Sequence, residues 1–324
     1  MAKKKDAVLD VAPDVVEPKE MYAHYSPLPS GGSPVVVRRA EFVYVIEVNM
    51  SNPNGDPDND NRPRTTLAER GWITQQCLNR ACRDYVGENY GHMPGHGLHQ
   101  ARGGARHWLN AHAYKIAGIK PPATKAKDAA VVLGVLKSLC WDIRALGGVL
   151  GAKKTPAGSL TGPIQIGNSI SVDPIYVHCA GLTNSSVCSD REEKDQMKKN
   201  GCIIGTMGRS WLVDFGVYVA RGTLCVSTAK KSGLTQKDLE IYWEALMNMW
   251  EDQVTSSKKD VEARKLVVFQ HCDKKGKGVC KRHENFRRVK IVKNCEEEPR
   301  SWEDYDFSIN TDDLPDGLEI IEMM

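Results

Sequence analysis

The apolar pattern of this chain predicts an α+β fold of the ferredoxin-like, split βαβ type, in the order strand, helix, strand, strand, helix, strand. Three observations carry that expectation. Phe42, Tyr44, Ile46 and Val48 alternate along Glu41–Asn49 and fall on one face, as a half-buried strand requires. Ile73, Cys77, Leu78, Ala81 and Tyr85 recur at helical spacing over about 73–86. Leu239, Trp243, Leu246 and Trp250 do the same behind Thr235, which is placed to cap their helix.

The remaining elements follow in order. Residues 1–39, with five prolines and a Ser-Gly-Gly-Ser stretch, show no periodicity and read as a strap-like or partly disordered arm. A polar loop, Ser51–Arg64, separates the first strand from the first helix, on which Arg80 and Arg83 sit outside the apolar stripe. Residues 87–126, rich in Gly and His and carrying Arg102 and Arg106, read as an insertion. Lys127–Leu146 is apolar on most sides and predicts a buried helix, and a loop with Lys153 and Lys154 follows. Residues 163–177 read as a strand interrupted by Gly167, and 178–208 as an excursion from the core around the charged run Asp190–Lys199. Val213–Val226 is strongly strand-like, and Lys265–Gln270 and Arg288–Lys293 read as closing strands. An open four-stranded sheet of this kind is the platform of RNA-recognition modules.

At 324 residues the chain is long enough for a large core or two domains, and 41% apolar with 26% charged residues excludes wholesale disorder, collagen and coiled coil. The longest apolar run, Ala129–Leu136, is far below the roughly 18 residues of a membrane span, so no membrane partner is expected. The first residues carry no signal-peptide apolar region, which predicts a cytoplasmic protein with reduced cysteines. Cys77, Cys82, Cys140 and Cys225 lie in apolar segments and read as small buried hydrophobes. The charge is uneven. Residues 292–324 hold eleven Asp/Glu and two Lys/Arg, a net of −9, so of the overall +3 the preceding residues carry +12. A basic body beside an acidic tail suggests a polyanionic partner.

The most informative segment is Asn52-Pro-Asn-Gly-Asp-Pro-Asp-Asn-Asp-Asn-Arg-Pro-Arg64. It is a series of turns in which Asn54-Gly55 tolerates positive φ, and it presents backbone N–H groups, small amides and two arginines at a strand end, which suits phosphate contact. Its aspartates fail the register of a calcium-binding EF-hand loop. His271, Cys272, Cys280 and His283 form a weak metal candidate whose spacing matches no common zinc finger, and a solvated hairpin is the simpler reading. His92, His96, His99 and His107 read as surface residues rather than a metal site. No Gly-x-Ser-x-Gly, phosphate-binding loop or His-Glu-x-x-His occurs, and neither cofactor nor metal is expected.

The segment Asn52–Asp58 directly after the first strand resembles the guide-coating backbone subunits of type I CRISPR surveillance complexes, the Cas-seven family of the RAMP superfamily, with subtype I-C the nearest likeness. Further segments agree in order: Cys77-Leu-Asn-Arg-Ala-Cys-Arg83, Thr161-Gly-Pro-Ile-Gln165 with Val172-Asp-Pro-Ile175, Thr206-Met-Gly-Arg209, and Tyr242-Trp-Glu-Ala-Leu-Met-Asn-Met249. The likeness extends into Asp312–Leu318 and covers about residues 40–320. It implies a modified RNA-recognition palm with helical fingers inserted at 87–150 and a hairpin thumb at 176–208. The palm is then built from 40–86, 151–175 and 209–324, the last ending in the acidic tail.

The resemblance implies a non-enzymatic subunit of a ribonucleoprotein complex in antiviral defence. Copies stack head to tail along one guide RNA and display it to a complementary DNA strand, beside guide-handle-binding, large and small Cascade subunits. Specificity is delegated to base pairing, so the protein needs phosphate contacts and shape rather than base readout. The implied RNA-binding residues are Asn52, Asn54, Gly55, Arg62, Arg64, Arg80, Arg83, Gly162, Gln165, Met207, Gly208 and Arg209. Leu182 or Val187 is the expected thumb wedge. The chain departs from the family's pattern at Asn79 and Ala81, where more basic residues are usual, and at Ser210-Trp211, where a Lys usually follows the Thr-Met-Gly-Arg segment. Arg80, Arg83, Lys153 and Lys154 could compensate. Two other readings compete: a metal-dependent RNA endonuclease on the same fold, using Asp56, Asp58 or the His/Cys loop, and a protein-only scaffold.

Overall fold

The computed structural model describes residues 31–100, 113–114, 116, 118, 126–149, 159–184, 186–187, 189–203, 205–273 and 277–324. Most of the expected arm, together with Arg102, Arg106, His107, Lys153 and Lys154, lies outside these residues.

Two long strands form the spine. β1 (Ala40–Ser51) pairs antiparallel with β10 (Thr206–Leu224), from Ala40 opposite Leu224 to Ser51 opposite Val213. β11 (Val261–His271) pairs with the other edge of β1, and β14 (Leu318–Glu322) pairs with β11. On the far side, β10 is joined by β7 (Ile164–Ile166) and β8 (Ser169–Pro174), and β8 carries the short β4 (Arg70–Ile73). The sheet order is therefore β14-β11-β1-β10-β8-β4, with every pairing antiparallel. The expected interruption at Gly167 falls between β7 and β8.

Alternation in β1 sends Phe42, Tyr44, Ile46 and Val48 to one face. There they meet Leu78, Ala81, Cys82 and Val86 of α1 (Gln75–Tyr90) and Leu239, Tyr242 and Leu246 of the helix Gln236–Asn248. Phe42 packs edge-on against Tyr242 and Trp243. The latter helix begins where expected, because Thr235 and Asp238 form a reciprocal capping box. Tyr44 donates to Leu246 O at 2.6 Å and accepts from Trp250 Nε1 at 2.9 Å, so the phenol in this core is satisfied.

The opposite face is covered over much of its area, which corrects the expectation of a fully open RNA platform. Val43, Val45, Val217, Val267 and Phe269 are buried there under the C-terminal segment. That cover is the helix Arg282–Arg288 and the hairpin of β12 (Val289–Lys293) with β13 (Tyr305–Ile309), which supply Phe286, Val289, Ile291, Trp302 and Phe307. The stretch expected as a last sheet strand is thus half of a covering hairpin. The acidic tail is folded: β14 is the sheet's outer strand, with Glu322 paired to Lys265 and Glu319 to Arg38. Charge count alone could not show this, because Tyr305, Phe307, Leu318 and Ile320 are spaced among the acids at strand period.

The expected helix 127–146 is two helices, α2 (Ala126–Leu139) and α3 (Trp141–Ala145), broken where Cys140 turns to extended backbone. A buried ionic network ties α3 to the sheet helices. Arg144, 1% exposed, grips Asp238 through Nε at 3.0 Å and Nη2 at 2.6 Å. Asp142 accepts from Arg83 and from the backbone N–H groups of His99 and Gln100. His96 and His99 are buried in this region, not at the surface. Numbered in chain order, α4 (Asp190–Asn200) follows β9 (Val177–Asn184), α5 (Val226–Ser232) follows β10, α6 is Gln236–Asn248 and α7 is Arg282–Arg288.

Candidate nucleic-acid interface

The loop after β1 folds into a small hairpin, β2 (Gly55–Asp56) with β3 (Arg62–Pro63). Two of its amides, Asn52 and Asn54, are turned inward. Asn52, 5% exposed, donates from Nδ2 to Asn61 O at 2.8 Å, and Asn54 Oδ1 accepts from the N–H of Thr74, the N-cap of α1, at 2.8 Å. The positive φ expected at Asn54-Gly55 falls instead at Asp60 (51°) and Asn61 (55°). Gly55 is required for another reason. A Cβ there would sit 2.0 Å from Asn61 Oδ1 and 2.9 Å from Asn61 O.

What the hairpin presents outward is Arg62. Its guanidinium lies over the Trp211 ring, 3.9 Å from the centroid, and Trp211 Nε1 donates to Asp60 Oδ2 at 3.1 Å. Trp211 stands on β10 two residues from Arg209, so both project from the same side of the strand. Arg209 and Met207 are exposed, Met207 at 79%. Neither Arg62 nor Arg209 has a carboxylate partner among the described residues, whereas Arg64 is paired to Asp56 at 3.1 Å. The result is a half-exposed indole flanked by two unpaired guanidinium groups. Such a face suits phosphates through the arginines and a base or its own arginine through the ring.

The first part of β10, Thr206–Leu212, pairs with β9 at His178–Asn184 and not with β1, and projects beyond the sheet as a two-stranded ribbon. α4 sits on the connection with no buried residue. It is capped by Ser189, closed by Gly201 at φ 70°, and tied back by two hydrogen bonds between Gln196 and Gly205. Leu182, 53% exposed, stands on this ribbon.

The other expected contact residues are distributed differently. Arg83 is buried and bound to Asp142 at 3.2 Å, so the expectation that it lies outside the apolar stripe is corrected. Arg80 pairs with Asp84 and donates to Gln100 O at 2.7 Å. Gly162 gives close approach to protein rather than to a ligand, because a Cβ there would lie 2.1 Å from Leu146 C and 2.6 Å from Gly147 N. Gln165 is exposed and holds Gly162 O at 2.9 Å. A Cβ at Gly208 would make ordinary contact with Leu182 Cβ, at 3.9 Å.

The weak metal candidate comes apart. His271 is buried, with Nε2 2.6 Å from Glu41 Oε2 and Nδ1 accepting from the Val279 N–H at 3.1 Å, so both ring nitrogens are engaged. Cys280 Sγ lies 3.1 Å from Asn285 Oδ1, and Asn285 also donates to Glu41. Burial alone would raise the Glu41 carboxyl, but bonds and charge from His271 and bonds from Arg39 and Asn285 hold it below its ordinary value. Among the described residues no three His, Cys, Asp or Glu side chains gather as a metal site. Cys225, read as a buried hydrophobe, is instead exposed at the start of α5. Its thiol is brought to about 7 against the effect of partial burial, by hydrogen bonds from Ser227 and Thr228.

The model of the CRISPR-associated protein Cas7 family matches residues 38–310. The chain belongs to the Cas7 family. Two solved structures are similar to it. A chain of a pre-nicking CRISPR RNA-guided surveillance complex has 15% identity and a TM-score of 0.45, covering 71% of this chain and 78% of its own length. A chain of a second CRISPR RNA-guided surveillance complex has 13% identity and a TM-score of 0.40, covering 71% and 68%. No curated protein matches. As in any Cas7-family chain, membership gives a class and not a list of contacts. Trp211 is the functional candidate that sequence reading missed, although its place two residues after Arg209 in a strand was the available signal.

Proposed function

We propose that this Cas7-family protein is a non-enzymatic backbone subunit that coats CRISPR guide RNA and displays it to complementary target DNA, in a complex with further copies of itself and other Cascade subunits. Family membership supplies the class. The observation that carries the contact surface is the Arg62–Trp211–Arg209 face, where two unpaired cations and an indole lie at the foot of a projecting ribbon. The sheet order β11-β1-β10-β8, with α1 and α6 on one face, supports the ferredoxin-like palm. The β9–β10 ribbon with α4 supports the thumb, with Leu182 as its wedge, and α2–α3 belong to the fingers. Because the C-terminal hairpin covers much of the sheet's second face, RNA runs along the loop hairpin and the ribbon.

In this reading Arg62, Arg209 and Met207 touch RNA, with Gly208 and Gln165 beside them. Asn52, Asn54, Gly55, Arg64, Arg80, Arg83 and Gly162 shape the surface that presents them. The test is binding of single-stranded RNA over a range of salt. Arg62→Ala with Arg209→Ala weakens all sequences alike and makes the slope of log K against log salt shallower by about 1.4, two phosphate contacts' worth. An unchanged slope contradicts the assignment.

A further inference from the structure

Between the sheet's covered face and the β12–β13 hairpin lies a cleft of about 540 Å³. Its floor is apolar, formed by Val43, Val219, Phe286 and Ile291, and its rim carries Arg70, Arg221 and Lys290. Among the described residues no carboxylate lines it, and none of the three cations makes an ion pair. The Arg221 guanidinium lies over the Phe286 ring, 5.7 Å from its centroid. Three unpaired cations around an apolar trough are matched by a ligand that alternates acidic and aliphatic groups.

The chain carries such a segment. Asp6-Ala-Val-Leu-Asp-Val-Ala-Pro-Asp-Val-Val-Glu17 has four acids, no Lys or Arg, and the aliphatic residues Val8, Leu9, Val11, Val15 and Val16. The described chain starts at Gly31, and Ser33 accepts from the N–H of Lys237 at the start of α6. The 13 residues between Glu17 and Gly31 can span up to ~45 Å. That exceeds the ~40 Å length of β1, so the sequence is long enough to pass from the helix face round the sheet to the cleft. Tethering gives the segment an effective concentration near millimolar, so a modest intrinsic affinity suffices.

We propose that the acidic segment Asp6–Glu17 docks in this cleft of its own chain, its aliphatic side chains on Val43, Val219 and Ile291 and its carboxylates against Arg70, Arg221 and Lys290. The docked segment completes the cover of the sheet's second face and places the N-terminal Lys3–Lys5 cluster beside it.

The experiment uses the full chain with the photo-crosslinking residue p-benzoylphenylalanine in place of Val11, irradiated and mapped by mass spectrometry. The expected result is cross-links to peptides containing Arg221 or Phe286–Ile291, with a yield unchanged by tenfold dilution. Arg221→Glu with Lys290→Glu, and separately Arg70→Glu, lower that yield several-fold while thermal unfolding stays as in the parent. Absence of cross-links to the cleft, or a yield indifferent to charge reversal, overturns the proposal. A yield that falls with dilution also overturns it, because the segment then belongs to a neighbour's cleft.

Discussion

Gly55 shows how a single hydrogen atom shapes the candidate interface. A methyl group there would meet both the side chain and the carbonyl of Asn61, the residue whose carbonyl Asn52 holds. Gly55→Ala must therefore shift the hairpin that places Arg62 on Trp211, at a cost of about 1–3 kcal/mol. A urea titration should show that loss, and RNA affinity should fall with it. His96 makes a second prediction at this scale. Burial holds its imidazole below the ordinary 6.5, against the pull of Asp238 Oδ1 at 3.7 Å. The unfolded chain then binds the proton more readily, so the stability His96 contributes is present above about pH 6.5 and is lost as pH falls through the lower folded value. His96→Asn should flatten that part of the stability profile, read as the urea midpoint between pH 7 and 5. Residue identity was legible here only in part. The turn residues of 52–64 announced a tight loop, but which of them would face inward depended on Thr74 and Asn61, partners that spacing does not reveal.

Among the elements, α3 is tied to both sheet helices, through Arg144 to α6 and through Asp142 to α1. Arg144 and Asp238 form a pair with almost no solvent access, and Asp238 also caps α6. Arg144→Met leaves Asp238 buried without its main partner and should cost about 3–5 kcal/mol, measured by chemical denaturation. β1, α1, β10 and α6 were legible in the sequence because their apolar periods are long and uniform. The break between α2 and α3 was not, since Cys140 is as apolar as its neighbours and its extended backbone pairs with the distant Gly97, whose carbonyl accepts from the Trp141 N–H. The C-terminal elements were obscured for a different reason. Their acids dominate the composition, and the alternate apolar positions that bury them against Val45 and Phe269 are few per strand.

For the whole molecule, the two faces of the sheet have different fates. One packs against α1 and α6, and the other is covered in part by the C-terminal hairpin, leaving the cleft rimmed by Arg70, Arg221 and Lys290, while Arg62, Trp211 and Arg209 reach solvent at the loop and ribbon. The endonuclease alternative makes an opposite prediction at this scale. Asp56 is bound to Arg64 and Asp60 to Trp211, and incubation of the protein with magnesium and labelled RNA should leave the RNA intact. The central claim, that many copies sheathe one guide, is tested most directly by co-expressing the protein with a CRISPR array, treating the material with nuclease, washing at high salt and sizing what remains bound. The account predicts protected RNA carrying spacer sequence, in lengths that step by a constant increment per copy. Protein free of RNA, or RNA of random length and sequence, would contradict it.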